Sequence, residues 1–287
     1  MADNPAPGLL PADPYLDLNG RLLPSRQALI SPLGEGFQYG RGLFETIKVL
    51  GGQPVFWREH LERLRRGAAE LGLGALPDAA EWSARCRRLI SANRAAHGSL
   101  KLIVFADTEG AGQLMVMRNP AYGPEVYARG FQIQTVAEGA RTGGLSALKT
   151  MNYLRPISAR RAAQAAGFDD ALFIGADGAV LESASSNLFA VRDGAIRTPP
   201  ATGKILPGIA RAQLLARLRD PGVTEGPIDA DWLRGADEVF VTNSLLGVMP
   251  VSRLDDRNFD LTRNPWTRAA MAAWAEWERE SAASAGV

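Results

Sequence analysis

The stretch from Lys149 to Arg211 constrains the fold more than any other part of this chain. A helical pattern over 152–167 gives way to a β-rich run at Asp170–Ile174, then to short strand patterns at Val180–Glu182 and Asn187–Arg192. Between those two lies a run of small residues, Ser183-Ala184-Ser185-Ser186, and a hairpin turn follows at Arg192-Asp193-Gly194-Ala195. Leu206-Pro207-Gly208 then opens a helix over 209–219. Strands in succession, bracketed by helices, describe an α+β layout.

The rest of the chain extends that layout. Tyr15 to Leu23 reads as two strands around an Asn19-Gly20 turn, and Gly42–Leu50 ends a glycine-rich segment in β-forming residues that Gly51-Gly52 turns toward Trp57. Leu61, Leu64, Ala68 and Leu71 recur at helical spacing within 58–73. Asp78 caps a second helix expected to reach Ala96. Strands are expected at Leu100–Phe105, Gln113–Arg118, Phe131–Ala137 and Glu238–Thr242, and a closing helix over Pro265–Glu280. Glu138 to Gly144 interrupts periodicity with adjacent glycines, so the expected organisation is an N-terminal lobe over 1–137, a linker over 138–146 and a C-terminal lobe over 147–287.

Composition excludes several functions. With a formal net charge of +1 and both signs mixed along 287 residues, nothing resembles the segregated basic surface that nucleic acid needs. His60 and His97 are the only histidines and Cys86 the only cysteine, too few soft ligands for a zinc site, so no metal is expected. No run is long enough to span a membrane, and the first residues lack the basic start and apolar run of a secretory signal. The expectation is a soluble, cytoplasmic protein.

The chemistry-bearing residues cluster in the opening stretch. There are four lysines, Lys48, Lys101, Lys149 and Lys204. Lys48 and Lys101 alternate with apolar neighbours in strands and are expected to point outward, Lys204 lies in a loop, and Lys149 precedes Tyr153, whose phenol suits an oxygen beside an imine. Glu182 ends a strand facing small residues, and Asn187 is placed to tie that loop or to serve as a turn residue. From Leu206 through Gly208, the helix start aims the N–H groups of Ile209 and Ala210 at an anion. Arg63 reads either as a bidentate phosphate clamp or as an ordinary surface helix arginine, and Ser244 either as a phosphate-facing hydroxyl at a strand tip or as part of an ordinary polar turn. An amine, an acid for a ring nitrogen and a phosphate cradle are together the parts that hold pyridoxal 5′-phosphate (PLP).

In order and spacing, Glu182, Asn187-Leu188-Phe189, Thr198, Leu206, Gly208-Ile209 and Arg211 resemble the signature of the class IV aminotransferases, the fold type IV PLP enzymes. Supporting matches are Gly36-Phe37-x-Tyr39-Gly40-x-Gly42-Leu43-Phe44-Glu45, His60-x-x-Arg63-Leu64, Lys149-x-x-Asn152-Tyr153 and Asn243-Ser244. The resemblance implies a smaller N-terminal α/β sandwich lobe and a larger C-terminal pseudo-barrel lobe. It implies Lys149 as imine-forming lysine and proton shuttle, Glu182 at the ring nitrogen, Tyr153 near the ring hydroxyl and Leu206 against the ring. Phosphate contacts from Arg63, Ile209, Ala210 and Ser244, and a homodimer, are implied too.

The activity so implied is transfer of an amino group from a small amino acid or amine to a 2-oxo acid. The alternative is a 4-amino-4-deoxychorismate lyase, suggested by Phe44-Glu45-Thr46 and the segment Thr242–Val251, and a third reading is a non-catalytic PLP-binding relative. Gly34-Glu35, Arg41 and Ala210 depart from the family pattern, and the turn Asp107–Gly112 lacks the arginine that often receives a substrate carboxylate. Arg26, Arg41 and Arg155, with Phe44, are the candidates on the substrate side.

Overall fold

The computed structural model describes residues 14–119, 122–138, 144–219 and 222–287. The chain divides into two compact units, one within Met1–Ala121, Lys149–Asn152 and Trp277–Val287, the other within Tyr122–Leu148 and Tyr153–Glu276. Of the expected linker over 138–146, residues 139–143 lie outside the described residues.

The first unit contains β1 (Tyr15–Leu18), β2 (Arg21–Pro24), α1 (Glu35–Tyr39), β3 (Gly42–Leu50), β4 (Gln53–Pro54), α2 (Trp57–Glu70), α3 (Ala79–Ala92), β5 (His97–Asp107) and β6 (Gly110–Arg118). Its strands form one sheet in the order β2-β1-β6-β5-β3-β4, antiparallel throughout. Period-two alternation sends Ile47, Val49, Leu100, Leu102, Val104, Met115 and Met117 into a core shared with Leu61 and Leu64 of α2 and Trp82 and Leu89 of α3. Asp78 caps α3 by accepting a hydrogen bond from the Glu81 N–H at 2.8 Å. The helix stops at Ala92, short of the expected Ala96, because β5 begins at His97. Residues 149–151 run beside β3: the Phe44 N–H donates to the Lys149 carbonyl at 2.9 Å and the Met151 N–H to the Gly42 carbonyl at 2.9 Å.

The second unit contains α4 (Pro124–Arg129), β7 (Phe131–Ala137), α5 (Leu154–Ala165), β8 (Asp170–Ile174), β9 (Val180–Ser183), β10 (Asn187–Arg192), β11 (Ala195–Thr198), α6 (Ile209–Arg217), β12 (Val223–Glu225), α7 (Ala230–Arg234), β13 (Glu238–Asn243), β14 (Gly247–Leu254), β15 (Arg257–Asn258) and α8 (Pro265–Ser284), whose last turns fall in the first unit. The sheet runs β12-β11-β10-β13-β14-β7-β8-β9 and returns on itself where β9 pairs with β10. This closure makes a barrel-like core of Phe131, Ile133, Leu172, Leu188, Val241 and Met249. Strand β10 is buried on both faces, and Phe189 on it stacks on Phe240 of β13 with ring centroids 4.9 Å apart. The strand Phe131–Ala137, assigned to the first lobe by sequence, pairs in parallel with β8 and β14 and so belongs to this second sheet. Among the described residues no helix is long and apolar enough to cross a membrane.

Candidate active site

In the second unit the ring of strands closes at a single residue pair, Asn187 opposite Glu182. That closure sets the chemistry. Glu182 Oε2 accepts hydrogen bonds from the Leu206 N–H at 3.1 Å and from Asn187 Nδ2 at 3.2 Å, and Asn187 Nδ2 also donates to the Leu206 carbonyl at 2.9 Å. The carboxylate is thereby fixed to the loop that starts α6. Gly208 is the cap residue of α6, and a Cβ there would lie 2.0 Å from Asn187 Oδ1, so only glycine lets the loop approach this closely.

No side chain caps α6. Its first N–H groups, from Ile209 and Ala210, have no partner within the helix and carry the positive end of its dipole. Arg211 is buried and anchors the helix by donating to the Pro199 carbonyl at 2.8 Å and pairing with Glu225. Across the ladder Asn187 faces Thr242, whose hydroxyl is buried without a hydrogen-bond partner. Ser244 follows in the half-buried turn after β13, and Asn243 ties that turn to the small-residue run by donating to the Ser185 carbonyl and to Ser186 Oγ. An anion-ready helix start, a fixed carboxylate and an orphaned buried hydroxyl suit a phosphorylated pyridine.

The run between Glu182 and Asn187 is itself supported from below. Asp170, fully buried on β8, accepts hydrogen bonds from Ser183 Oγ at 2.8 Å and Ser185 Oγ at 2.9 Å. Burial pushes the Asp170 carboxyl up, and Arg160 and the donated hydrogen bonds oppose that shift. Tyr153 OH donates to the Ala184 carbonyl at 3.2 Å, so the phenol lies against the same run.

The first unit holds the remaining candidates. Lys149 Nζ is 4.5 Å from the centroid of the Phe44 ring. The Lys149–Asn152 motif docks on the glycine-rich one: Asn152 Nδ2 donates to the Gly40 carbonyl at 3.2 Å. Gly40 has φ +66°, and a Cβ there would meet Asn152 Oδ1 at 2.6 Å. Arg63 donates through Nε to Glu45 Oε1 at 2.8 Å and through Nη2 to Glu45 Oε2 at 2.5 Å, a fork that fixes the guanidinium. His60 Nδ1 lies 2.7 Å from Glu45 Oε2. Burial alone would raise the Glu45 carboxyl, but the charge and hydrogen bonds of Arg63, aided by His60, hold it down at about 2. Burial pushes the His60 imidazole below its ordinary range despite Glu45, so it stays neutral with its proton on Nδ1 and leaves Nε2 a buried acceptor without a partner.

The other lysines separate clearly. Lys48 pairs with Glu278 at 2.6 Å and Lys204 with Asp177 at 2.7 Å, whereas Lys101, expected to point outward, is half-buried with Nζ 4.4 Å from the Phe44 centroid. Outward on β5 means toward the Phe44 face of the sheet. Of the substrate-side arginines, Arg41 bonds Glu35 at 2.5 Å and the carbonyls of Leu71 and Gly72, which accounts for the Glu35 and Arg41 departures as a pair. Arg155 bonds Glu138 at 3.0 Å and Arg26 is exposed beside β2. The turn at Asp107 is a tight hairpin in which Asp107 pairs with Gly110, with no arginine in it.

Sequence reasoning missed the Glu45 fork and the Asp170 support. The signal for the first was present: a carboxylate at Glu45 interrupts the buried series Leu43, Ile47, Val49 and needs a cationic partner on the facing helix.

The family model for amino-transferase class IV matches residues 42–254, a range that holds Phe44, Arg63, Lys149, Glu182 and Ser244 but not Arg26 or Arg41. A D-alanine aminotransferase from Bacillus licheniformis is 31% identical over 251 residues, covering 83% of this chain and 87% of its own length. An aminodeoxychorismate lyase from Bacillus subtilis (strain 168) is 28% identical over 262 residues, covering 84% and 87%, so the likeness runs through both chemistries. Among solved structures, the T.th. branched-chain amino acid aminotransferase with pyridoxamine 5′-phosphate is 25% identical, with a TM-score of 0.84 over 92% of this chain and 94% of that one.

Proposed function

This chain belongs to the class IV amino-transferase family, and we propose that it moves an amino group from a small amino acid or amine to a 2-oxo acid, with Lys149 as the reacting lysine. Enzymes of this family use PLP. When bound, PLP supplies an electrophilic carbonyl carbon and a ring that accepts the electron pair released at the substrate carbon. Lys149 Nζ would hold the cofactor and would take and return the proton at that carbon. Glu182, held by the Leu206 N–H and Asn187, would accept a hydrogen bond from the ring N–H. In the second unit the N–H groups of Ile209 and Ala210 with Ser244 would hold the phosphate, Tyr153 would serve the ring hydroxyl and Leu206 would lie against the ring; in the first unit Arg63, fixed by Glu45, is the further phosphate candidate.

The observation that carries this reading is the lock of Glu182 to the start of α6 through Asn187. A solvated strand-end glutamate has no reason to be bonded to an uncapped helix loop. A second reading, the lyase, is favoured by its comparable coverage among relatives, whereas the arginine-free Asp107 turn weighs against it, because it withholds a common carboxylate anchor from a substrate that bears two carboxylates.

We also infer a cytoplasmic homodimer. Leu29, Leu33, Phe37 and Tyr39 are each at least 70% exposed within one short segment around α1, an apolar surface that a second copy would cover.

The deciding test is a paired assay: amino donors with 2-oxoglutarate or pyruvate on one side, and aminodeoxychorismate with detection of p-aminobenzoate on the other. Amino transfer is expected. Release of p-aminobenzoate with no amino transfer would instead assign the lyase, and neither activity from a cofactor-loaded protein would leave the non-catalytic reading.

A further inference from the structure

Two side chains of the second unit rest on the short run Ser183–Ser186. Tyr153 OH donates to the Ala184 carbonyl at 3.2 Å, and Asn243 Nδ2 donates to the Ser185 carbonyl at 3.1 Å and to Ser186 Oγ at 2.9 Å. Asn243 also sets the turn that contains Ser244, because its Oδ1 accepts from the Leu245 N–H at 2.9 Å and from the Leu246 N–H at 2.8 Å. Glu182 and Asn187 flank the run and pair across the closure of the sheet.

The run is held from beneath. The Ala184 N–H donates to the Ala171 carbonyl at 2.8 Å, and the hydroxyls of Ser183 and Ser185 converge on one atom, Asp170 Oδ2, at 2.8 and 2.9 Å. Asp170 Oδ1 accepts from the Ala171 N–H at 2.9 Å, and the side chain has no exposed surface. Burying a carboxylate there is costly, and the donated hydrogen bonds and the charge of Arg160 oppose that cost. An apolar residue would fill the space without it but would leave both hydroxyls without this acceptor. An amide suits the place badly too, since its NH2 group would face either the two hydroxyls or the Ala171 N–H.

We propose that Asp170 is a positioning residue for the cofactor: by receiving the Ser183 and Ser185 hydroxyls it sets the run on which Tyr153 and the Ser244 turn take their places. The inference rests on the cofactor reading above, in which Tyr153 serves the ring hydroxyl and Ser244 the phosphate. Asp170 acts on both through the same two hydroxyls, so a change at this buried carboxylate reaches the phenol and the turn together.

The test measures the PLP dissociation constant of the full-length protein, and the visible absorbance of the loaded protein against pH, for the parent, Asp170→Asn, Ser183→Ala with Ser185→Ala, all three changes together, and Tyr153→Phe. Asp170→Asn and the double serine variant are each expected to weaken PLP about 5- to 10-fold, the size expected for one or two hydrogen bonds. Both should move the absorbance midpoint in the direction in which Tyr153→Phe moves it. Adding Asp170→Asn to the double serine variant should weaken PLP no further, because the carboxylate acts through those hydroxyls. A lowered melting temperature with affinity and midpoint unchanged is what a purely structural residue gives, and it would overturn the proposal, as would effects that simply add. If Asp170→Asn does not fold, the double serine variant carries the test, and parent-like affinity and midpoint in it would overturn the proposal. Affinity and absorbance unchanged in Tyr153→Phe and in Ser244→Ala would instead count against the cofactor reading.

Discussion

Glu45 carries a charge where its strand is otherwise buried and apolar, and the first unit accommodates it with the Arg63 fork and a neutral His60. This arrangement sets a pH dependence. Glu45 titrates at about 2 when folded against an ordinary 4.5, so its contribution, about 3 kcal/mol, is complete above pH 4.5 and is lost as pH falls toward 2. His60 acts in the same direction. Its folded value lies below the ordinary 6.5, so the unfolded chain takes up a proton first and stability falls as pH drops below 6.5. Urea midpoints measured against pH should therefore separate the parent from Glu45→Gln most above pH 4.5, with the gap closing toward pH 2. A gap that does not change with pH would mean that Glu45 is not held ionised by Arg63. At this scale Lys149, Glu182 and Arg63 were legible as residues in a spaced pattern, but their partners were not. Glu45 and Arg63 are far apart in sequence and meet only because β3 packs on α2.

At the scale of elements, α6 shows why a loop and a helix must be read together. Its start is shaped by Gly208 against Asn187 and its flank by Arg211, so the anion-ready N–H groups are held by the strand that also holds Glu182. Gly208→Ala should force Asn187 out of its bonds to Glu182 and Leu206, costing about 1–3 kcal/mol and weakening cofactor uptake. Calorimetry and cofactor titration of Gly208→Ala, Asn187→Ala and the double variant test this directly. The double variant should cost little more than Asn187→Ala alone, because the colliding group is gone; simple additivity would show that the contact is not what excludes a side chain. Helices α2, α5 and α6 and strands β7, β8 and β10 were legible from periodicity to within a few residues. Strand β14 was not, since Pro250 within it reads as a breaker. It pairs with Phe240 of β13, and the pairing of β14 with β7 starts only at Val251, which leaves that side of Pro250 outside the ladder.

For the whole molecule, the two-lobe α+β layout followed from the order of patterns, while strand neighbours did not. The parallel pairing of β7 with β14 and the closure of β9 on β10 join segments separated by loops and helices, and no local pattern specifies such partners. This is also why Phe131–Ala137 was assigned to the first lobe: a strand's own sequence says which face is apolar but not which sheet it joins. The class of enzyme rests on Lys149 and the signature from Glu182 to Arg211, and the choice of reaction on the Asp107–Gly112 turn and the Asn243-Ser244 tip. The most direct measurement is one half-reaction: mixing cofactor-loaded protein with a panel of amino donors in the absence of any 2-oxo acid, for the parent and for Lys149→Ala. The parent should lose its visible absorbance and release about one equivalent of the matching 2-oxo acid per site, while Lys149→Ala should have no lysine-linked absorbance and release none. Release of 2-oxo acid by Lys149→Ala at the parent's rate, or none from the parent with any donor, would contradict the assignment.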